Sequence, residues 1–447
     1  MKYYFLGIGG IGMSALARFF NMRGDQVEGY DRTPSPLTQQ LESEGIVIHY
    51  DDDASQVPSD ADMVIYTPAV PQDTAVFQRC MALGMPMKKR SQMLGHLTEG
   101  KKCVAVAGSH GKTTTSSLIA HLLSQSPKGC SAFLGGIAKN FNSNVVVRPE
   151  SDFVVVEADE YDRSFLQLHP FISVVTATDP DHLDIYGTCE KMIEAYVQFV
   201  NQTDPHGHLI IKEGLFADAV IPAHHTYTAR SVDADYYAVN VRNYNGNIYF
   251  DLRTPNKVLY DLQLCQSPLY NVENAVAASA VALLCGLTEE QLRAGLKSFA
   301  GIQRRFDYHI RRPDIVYIDD YAHHPQEIAA TIESVRYLYP GKRLVGIFQP
   351  HLYSRTRDLA DLFAEALSSL DEIIVLPIYP ARERPIPGVT SAMIVHQIKN
   401  LSKYYVTKEQ LFDLLPALYP DVVLSMGAGD IDRLVPQIAD LLNGIHS

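Results

Sequence analysis

The 447-residue sequence predicts an α/β protein of three successive domains, and three observations carry that prediction. Short apolar runs alternate with helix-spaced segments, the pattern of parallel sheets covered by helices. The alternation restarts twice, near residues 100 and 307. Glycine-rich turns follow apolar runs in all three parts, at "LGIGGIGMS", "GSHGKTTT" and "GAGD". Length agrees, because single hydrophobic cores stop growing beyond about 250–300 residues.

In the first domain, residues 1–100, a buried strand is expected over 2–8, a helix over 13–21 and a second strand over 26–30 ending at Asp31. Residues 62–67 and 85–90 supply further strands of a mostly parallel sheet. The second domain, 101–306, opens with a strand over 103–107 and a turn into a helix with Leu118, Ile119, Leu122 and Leu123 on its apolar face. Residues 153–156 and 172–176 read as buried strands, and Met192, Ala195, Tyr196, Phe199 and Val200 have helical spacing. From 208 to 264 the texture changes to short alternating strands, with Asn245-Gly246 as a hairpin turn. Helix resumes over 274–285. The third domain, 307–447, carries strands over 315–318, 343–348, 372–377 and 422–425, separated by helical segments.

A formal net charge of −13 argues against nucleic acid or an anionic membrane as the main partner. Anionic small ligands stay open, since backbone N–H groups and a few local cations hold phosphates. The six cysteines are scattered, with neither C-x-x-C nor paired spacing, as expected of thiols in a reducing cytoplasm. No signal peptide and no apolar run of membrane-spanning length is read, so a cytoplasmic location is expected.

Gly7, Gly9 and Gly12 form G-x-G-x-x-G after a strand, with Asp31 about one βαβ unit further on. That pattern describes a Rossmann-like turn able to cradle a diphosphate at a helix N-terminus. An NAD-dependent dehydrogenase built on this loop is one reading; another diphosphate ligand is the other.

"AVAGSHGKTTT" is more informative. Gly108 and Gly111 let main-chain N–H groups close around phosphate, Lys112 reaches the terminal phosphates, and the Thr113 hydroxyl is placed for Mg²⁺. Val106 stands where the first glycine of the common P-loop would be, and a chance strand–turn–helix is the competing view. Glu157, Asp159 and Glu160 end one following strand, and Asp179, Asp181, His182 and Asp184 end the next. Acids at the carboxyl edge of a parallel sheet suit a metal nucleotide, although each taken singly is as readily a solvated loop charge.

In the third domain "DDYAHHP", "FQPHLYSRTRDL" and "GAGD" each end a strand, and "QRRF" marks the second boundary. His351, Tyr353, Arg355 and Arg357 lie in the second of these stretches. Arg304 or Arg305 either meets a nucleotide phosphate or makes a plain salt bridge.

These stretches, together with "EADEYDRSF", "DPDHLDIYG", "YNVENA" and "PIYPARERPIPGV", resemble in order and along the whole chain the Mur ligase family. The resemblance is strongest to its alanine-adding members. It implies a Rossmann-like UDP-sugar domain, a central P-loop ATPase-type domain with a small β-rich part, and a C-terminal Rossmann-like domain for the amino acid. The implied reaction is ATP-dependent amide formation between UDP-N-acetylmuramate and L-alanine through an acyl phosphate, in the cytoplasmic stage of peptidoglycan synthesis. A member that adds a whole tripeptide to the same UDP-sugar shares the P-loop and is the nearest alternative.

The resemblance places Gly108, Ser109, His110, Gly111, Lys112, Thr113 and Thr114 on ATP phosphates, with Asn271 or Asn274 at the adenine, Arg304 or Arg305 at phosphate and Asp320 at the ribose. Thr113 and Glu157 would hold one Mg²⁺ (or Mn²⁺) and His182 a second. Lys112, His182 and His351 are the implied catalytic residues. Gly7, Gly9, Gly10, Gly12, Met13, Ser14, Asp31, Thr67 and Arg90 would face the UDP-sugar, and Tyr321, His351 and Arg355 would border the alanine pocket. Ser109 replaces the family's usual Thr, and Leu352 stands where many relatives carry Arg. Lys191 does not fall where other members carry a carbamylated lysine, so none is expected. A monomer or weak homodimer is anticipated. Because ATP and amino-acid residues lie on different domains, closure on ligand binding is expected.

Overall fold

Parallel strands feeding helices organise the chain in the computed structural model, which describes residues 1–180, 183–230, 232–244, 246–265, 267–381 and 383–445. For 162, 183, 184 and 445 only the main chain is described. The predicted hairpin residue Asn245, the loop residues Asp181 and His182, and Arg382 lie outside the described residues.

The first sheet holds β1 (Lys2–Leu6), β2 (Gln26–Tyr30), β3 (Val47–His49), β4 (Met63–Tyr66) and β5 (Met87–Lys89) in the order β3-β2-β1-β4-β5. Every pairing is parallel. The order reverses at β1, which places the crevice for a ligand at the carboxyl end of that strand, where Gly7 begins.

The second sheet has ten strands: β6 (Lys102–Ala107), β7 (Ser131–Ala138), β8 (Ser143–Val146), β9 (Phe153–Glu157), β10 (Ile172–Val175), β11 (His208–Lys212), β12 (His225–Thr228), β13 (Tyr236–Tyr244), β14 (Asn247–Arg253) and β15 (Val258–Leu264). Their order is β15-β14-β13-β12-β11-β10-β6-β9-β7-β8, with β8 antiparallel at one edge. β6 lies between β9 and β10, so the turn after β6 is flanked by the acidic ends of its neighbours. The third sheet, β16 (Asp307–Arg311), β17 (Val316–Asp320), β18 (Leu344–Phe348), β19 (Glu372–Val375), β20 (Lys403–Tyr405) and β21 (Val422–Met426), runs β16-β17-β21-β18-β19-β20. Only β16 is antiparallel to its neighbour among the pairings in this sheet.

The described chain divides into two units: 1–241 with 250–263 and 273–300, and 242–249 with 264–272 and 301–447. Within the first unit, the first two sheets share one hydrophobic core. The helix Ile11–Met22 buries Phe20 beside Phe5, and its Phe19 ring lies 5.2 Å from Phe133 of β7. Full burial of such a side chain stabilises by about 1.5–3 kcal/mol. The second unit has its own core, with Tyr317, Ile347, Val423 and Ile438 completely buried. Among the described residues no helix is long and apolar enough to cross a membrane.

Candidate active site

The first glycine loop closes because each of its key glycines has another residue where a side chain would stand. A Cβ on Gly7, whose φ is +86°, would lie 2.6 Å from Thr67 Cγ2. One on Gly9 would lie 2.8 Å from Asp31 Oδ2, and one on Gly12 2.9 Å from Arg90 Nη1. Thr67, Asp31 and Arg90 are therefore brought to the loop as the sequence suggests. Asp31 accepts the Gly9 N–H at 2.7 Å and the Thr33 N–H at 3.2 Å, so it braces the loop from within. Gly10 N–H donates to Gly7 O, and the helix Ile11–Met22 starts directly after it, so its first-turn N–H groups have the geometry that can hold an anion.

Two side chains of this set do not line the cradle. Ser14 is completely buried, donating to Ile11 O and accepting from Asn144, and Met13 packs in the core at 2% exposure. Interior packing and internal hydrogen bonds engage both side chains.

The second loop is tighter. Gly111 caps the helix Lys112–Ser124 with φ +81°, and Gly108 sits at φ +141°, where a Cβ would strike Thr176 Oγ1. Thr176 hydroxyl bonds to Ala107 O and His110 O, and Ser109 N–H donates to Ala177 O, so the end of β10 shapes the loop. Lys112 Nζ donates to Gly108 O at 2.6 Å and to Glu160 at 2.8 Å. Burial pushes the Lys112 ammonium down, but Glu160, Glu157 and Asp159 more than offset it and its pKa is raised. Burial pushes the Glu160 carboxyl up against the opposing pull of Lys112. The short contact is that of an ion pair.

Glu157 accepts the Gly135 N–H at 3.0 Å, while Thr113 is nearly buried in the first turn of the loop helix. Asn274 accepts from Thr115 and crowds Gly111, which places it against the second glycine loop; Asn271 belongs to the second unit, donating to Ser267. Arg90, the first residue of the helix Arg90–Thr98, lies beside Gly12 and pairs with Asp159 at 3.2 Å, joining the surroundings of the two loops. Among the described residues no three His, Cys, Asp or Glu side chains converge on a metal position.

In the second unit the two arginines of "QRRF" part company. Arg304, at φ +61°, donates Nε to the fully buried Asp319 at 3.0 Å and Nη2 to Gly427 O at 2.7 Å. Arg305 lies over the Tyr321 ring at 4.9 Å. Asp320 accepts main-chain N–H groups from Phe306 and Ala322, and burial raises its carboxyl to about 6. His351 stacks on Tyr379 with centroids 5.8 Å apart and meets His323 edge-on at 6.3 Å. Burial, helped by Arg355 and His323, lowers His351 to about 4, so the ring is neutral near pH 7. Leu352 holds a left-handed φ of +72° at the start of the helix Tyr353–Leu367, a strained conformation for a leucine beside a candidate site residue. Glu383 accepts the Ser354 N–H and hydroxyl.

Sequence reasoning named Glu160 as an acid at a strand end without giving it Lys112 as partner, and gave Asp319, Tyr379, Glu383 and Asn144 no role. Only the first two carried a signal, as acids at strand ends; the others depend on partners distant in sequence.

Comparison with known proteins agrees with this geometry. Residues 2–102 match the model for the Mur ligase family catalytic domain, 106–282 the Mur ligase middle domain, and 304–429 the Mur ligase glutamate ligase domain. The chain is 48% identical to UDP-N-acetylmuramate–L-alanine ligase of Phocaeicola vulgatus over 98% of both chains. It is similar to the crystal structure of UDP-N-acetylmuramate-alanine ligase from Thermotoga maritima, with TM-score 0.86, 28% identity and 99% of each chain covered. A murein peptide ligase from Psychrobacter arcticus shares the fold at TM-score 0.70 and 22% identity, covering 99% of this chain and 98% of its own. Three domain models in the right order, and a relative alike over nearly its whole length, establish that this chain belongs to the Mur ligase family.

Proposed function

We propose that the chain is an ATP-dependent ligase that joins L-alanine to UDP-N-acetylmuramate in the cytoplasmic stage of peptidoglycan synthesis. The observation that carries the reading is that one unit holds two glycine-cornered loops, each opening a helix, whose surroundings are linked through Arg90 and Asp159. One cradle suits the diphosphate of a UDP-sugar and the other the triphosphate of ATP. The 48% identity to an alanine-adding relative supports L-alanine over a tripeptide as the second substrate.

Joining two anions requires neutralised charge and an aligned amine. Lys112 leaves Glu160 for the β- and γ-phosphates, and the N–H groups of residues 108–114 hold the chain of phosphates in line. The lactyl carboxylate of the UDP-sugar takes the γ-phosphoryl group, the alanine amine attacks the resulting acyl phosphate, and phosphate departs. The oxygen donors Thr113 and Glu157 fit Mg²⁺, which needs only one or two protein ligands when phosphates supply the rest. When bound, it offsets phosphate charge; His182 is the candidate for a second ion. Arg305 is the candidate for phosphate rather than Arg304, since Arg304 is engaged by Asp319. Tyr321, His351 and Arg355 border the alanine pocket, with Arg355 meeting the carboxylate. His351, neutral at working pH, lines that pocket without adding charge.

Release of ADP measured with UDP-N-acetylmuramate and a panel of L-alanine, glycine, L-serine and a tripeptide tests the reading. L-Alanine is expected to give the highest kcat/KM. A preference for the tripeptide, or NAD binding without ligand-dependent ADP release, overturns it.

A further inference from the structure

Asn144 is completely buried, yet it sits on β8, the antiparallel edge strand of the second sheet, and not in either phosphate loop. Its amide is nearly saturated by one helix. Nδ2 donates to Ile11 O at 2.6 Å and to Ser14 Oγ at 2.9 Å, while Oδ1 accepts from Arg18 Nη1 at 2.6 Å. A flipped amide would set oxygen against Ile11 O and nitrogen against the guanidinium, so one orientation alone satisfies all three contacts. Arg18 is itself 3% exposed, and its remaining donors grip Glu44 at 2.8–3.0 Å. One side chain of the second sheet thus holds two successive turns of the helix that opens at the first glycine loop.

The attachment continues through the sheet. β8 pairs with β7, β7 with β9, and β9 ends at Glu157 beside the Lys112 loop. The path from Ile11 to the nucleotide loop therefore runs through hydrogen-bonded sheet and one buried amide. Phosphoryl transfer demands that donor and acceptor stand about 3–3.5 Å apart and in line, and a displacement of about 1 Å costs about a hundredfold in rate. We propose that Asn144 is a positioning residue: it sets the UDP-sugar cradle in register with the ATP loop. It touches neither substrate. The proposal rests on the functional reading above in naming the two ligands, but the mechanical link stands on the contacts alone.

The test uses the full-length enzyme with Asn144→Ala and the milder Ser14→Ala, which removes one acceptor and leaves Ile11 O for the amide. Assays run well below the melting transition of each variant, so that a purely structural loss leaves turnover intact. Asn144→Ala is expected to lower kcat for UDP-N-acetylmuramate-dependent ADP release at least tenfold while the Kd for ADP stays within twofold, with Ser14→Ala intermediate. Hydrogen exchange over residues 8–16 is expected to quicken in Asn144→Ala without ligands. Unchanged kcat in the folded variant, or unchanged exchange over 8–16, overturns the proposal. A wild-type enzyme that releases no ADP with the UDP-sugar would instead sink the functional reading, and the exchange measurement would still decide the mechanical link.

Discussion

Lys112→Met separates what the Lys112–Glu160 pair does for the fold from what it does for the reaction. Glu160 is 2% exposed, so removing the ammonium strands a carboxylate in the interior. Stranding one member of a buried pair costs about 3–5 kcal/mol, a fall of at least roughly 6 °C at about 2 °C per kcal/mol for a large domain. Protonation limits that loss. Without Lys112, burial holds the folded-state Glu160 carboxyl above its unfolded value. The folded chain then binds more protons than the unfolded chain between those two values, and stability falls as pH rises through that window. The deficit against wild type is therefore expected to be large near about pH 8 and to shrink toward about pH 5. Adding Glu160→Gln removes the charge, so the double variant should regain about 2 kcal/mol and lose this pH dependence. Both variants should release no ADP, while isothermal titration still shows UDP-N-acetylmuramate binding. Differential scanning calorimetry of the ligand-free proteins at the two pH values reads the stability. A deficit equal at both, or no recovery from Glu160→Gln, would refute the assignment of Glu160 as the ionised resting partner of Lys112.

Two further outcomes follow from local geometry. Gly7→Ala combines a left-handed φ of +86°, worth about 1–2 kcal/mol of strain, with a Cβ 2.6 Å from Thr67 Cγ2; calorimetric titration should show UDP-N-acetylmuramate affinity at least tenfold weaker with ADP affinity unchanged, and equal affinity for the UDP-sugar would count against the cradle. Arg304→Ala leaves Asp319, 1% exposed, without its guanidinium and should cost about 3–5 kcal/mol in thermal unfolding, whereas Arg305→Ala forfeits a ring contact of about 0.5–1 kcal/mol and raises the KM for ATP. Similar stability losses for both would contradict the division of labour between the two arginines.

The glycine loops were legible in the sequence because their constraint is local. Gly7, Gly108 and Gly111 require backbone conformations that other residues reach only with strain, and a strand before and a helix after complete the signal. The long buried strands were equally plain: β2 falls on the residues expected, and β6 and β9 differ by one residue at an end. Short edge strands such as β3, β8 and β20 left little trace, since three or four residues with mixed burial carry no usable period.

The sequence by itself determined the class of each domain, the presence of two glycine-cornered strand–turn–helix loops and the family, because spacing along the chain dictates backbone shape and the carboxyl ends of parallel strands gather polar residues. Tertiary structure alone decided which partner each polar group takes. It chose Glu160 for Lys112, turned Asp31 inward to brace Gly9, divided Arg304 from Arg305, and tied Asn144 to a helix that precedes it by about 130 residues. A hydrogen bond depends on position to within a few tenths of an ångström, and that position arises only when distant segments pack into one interior.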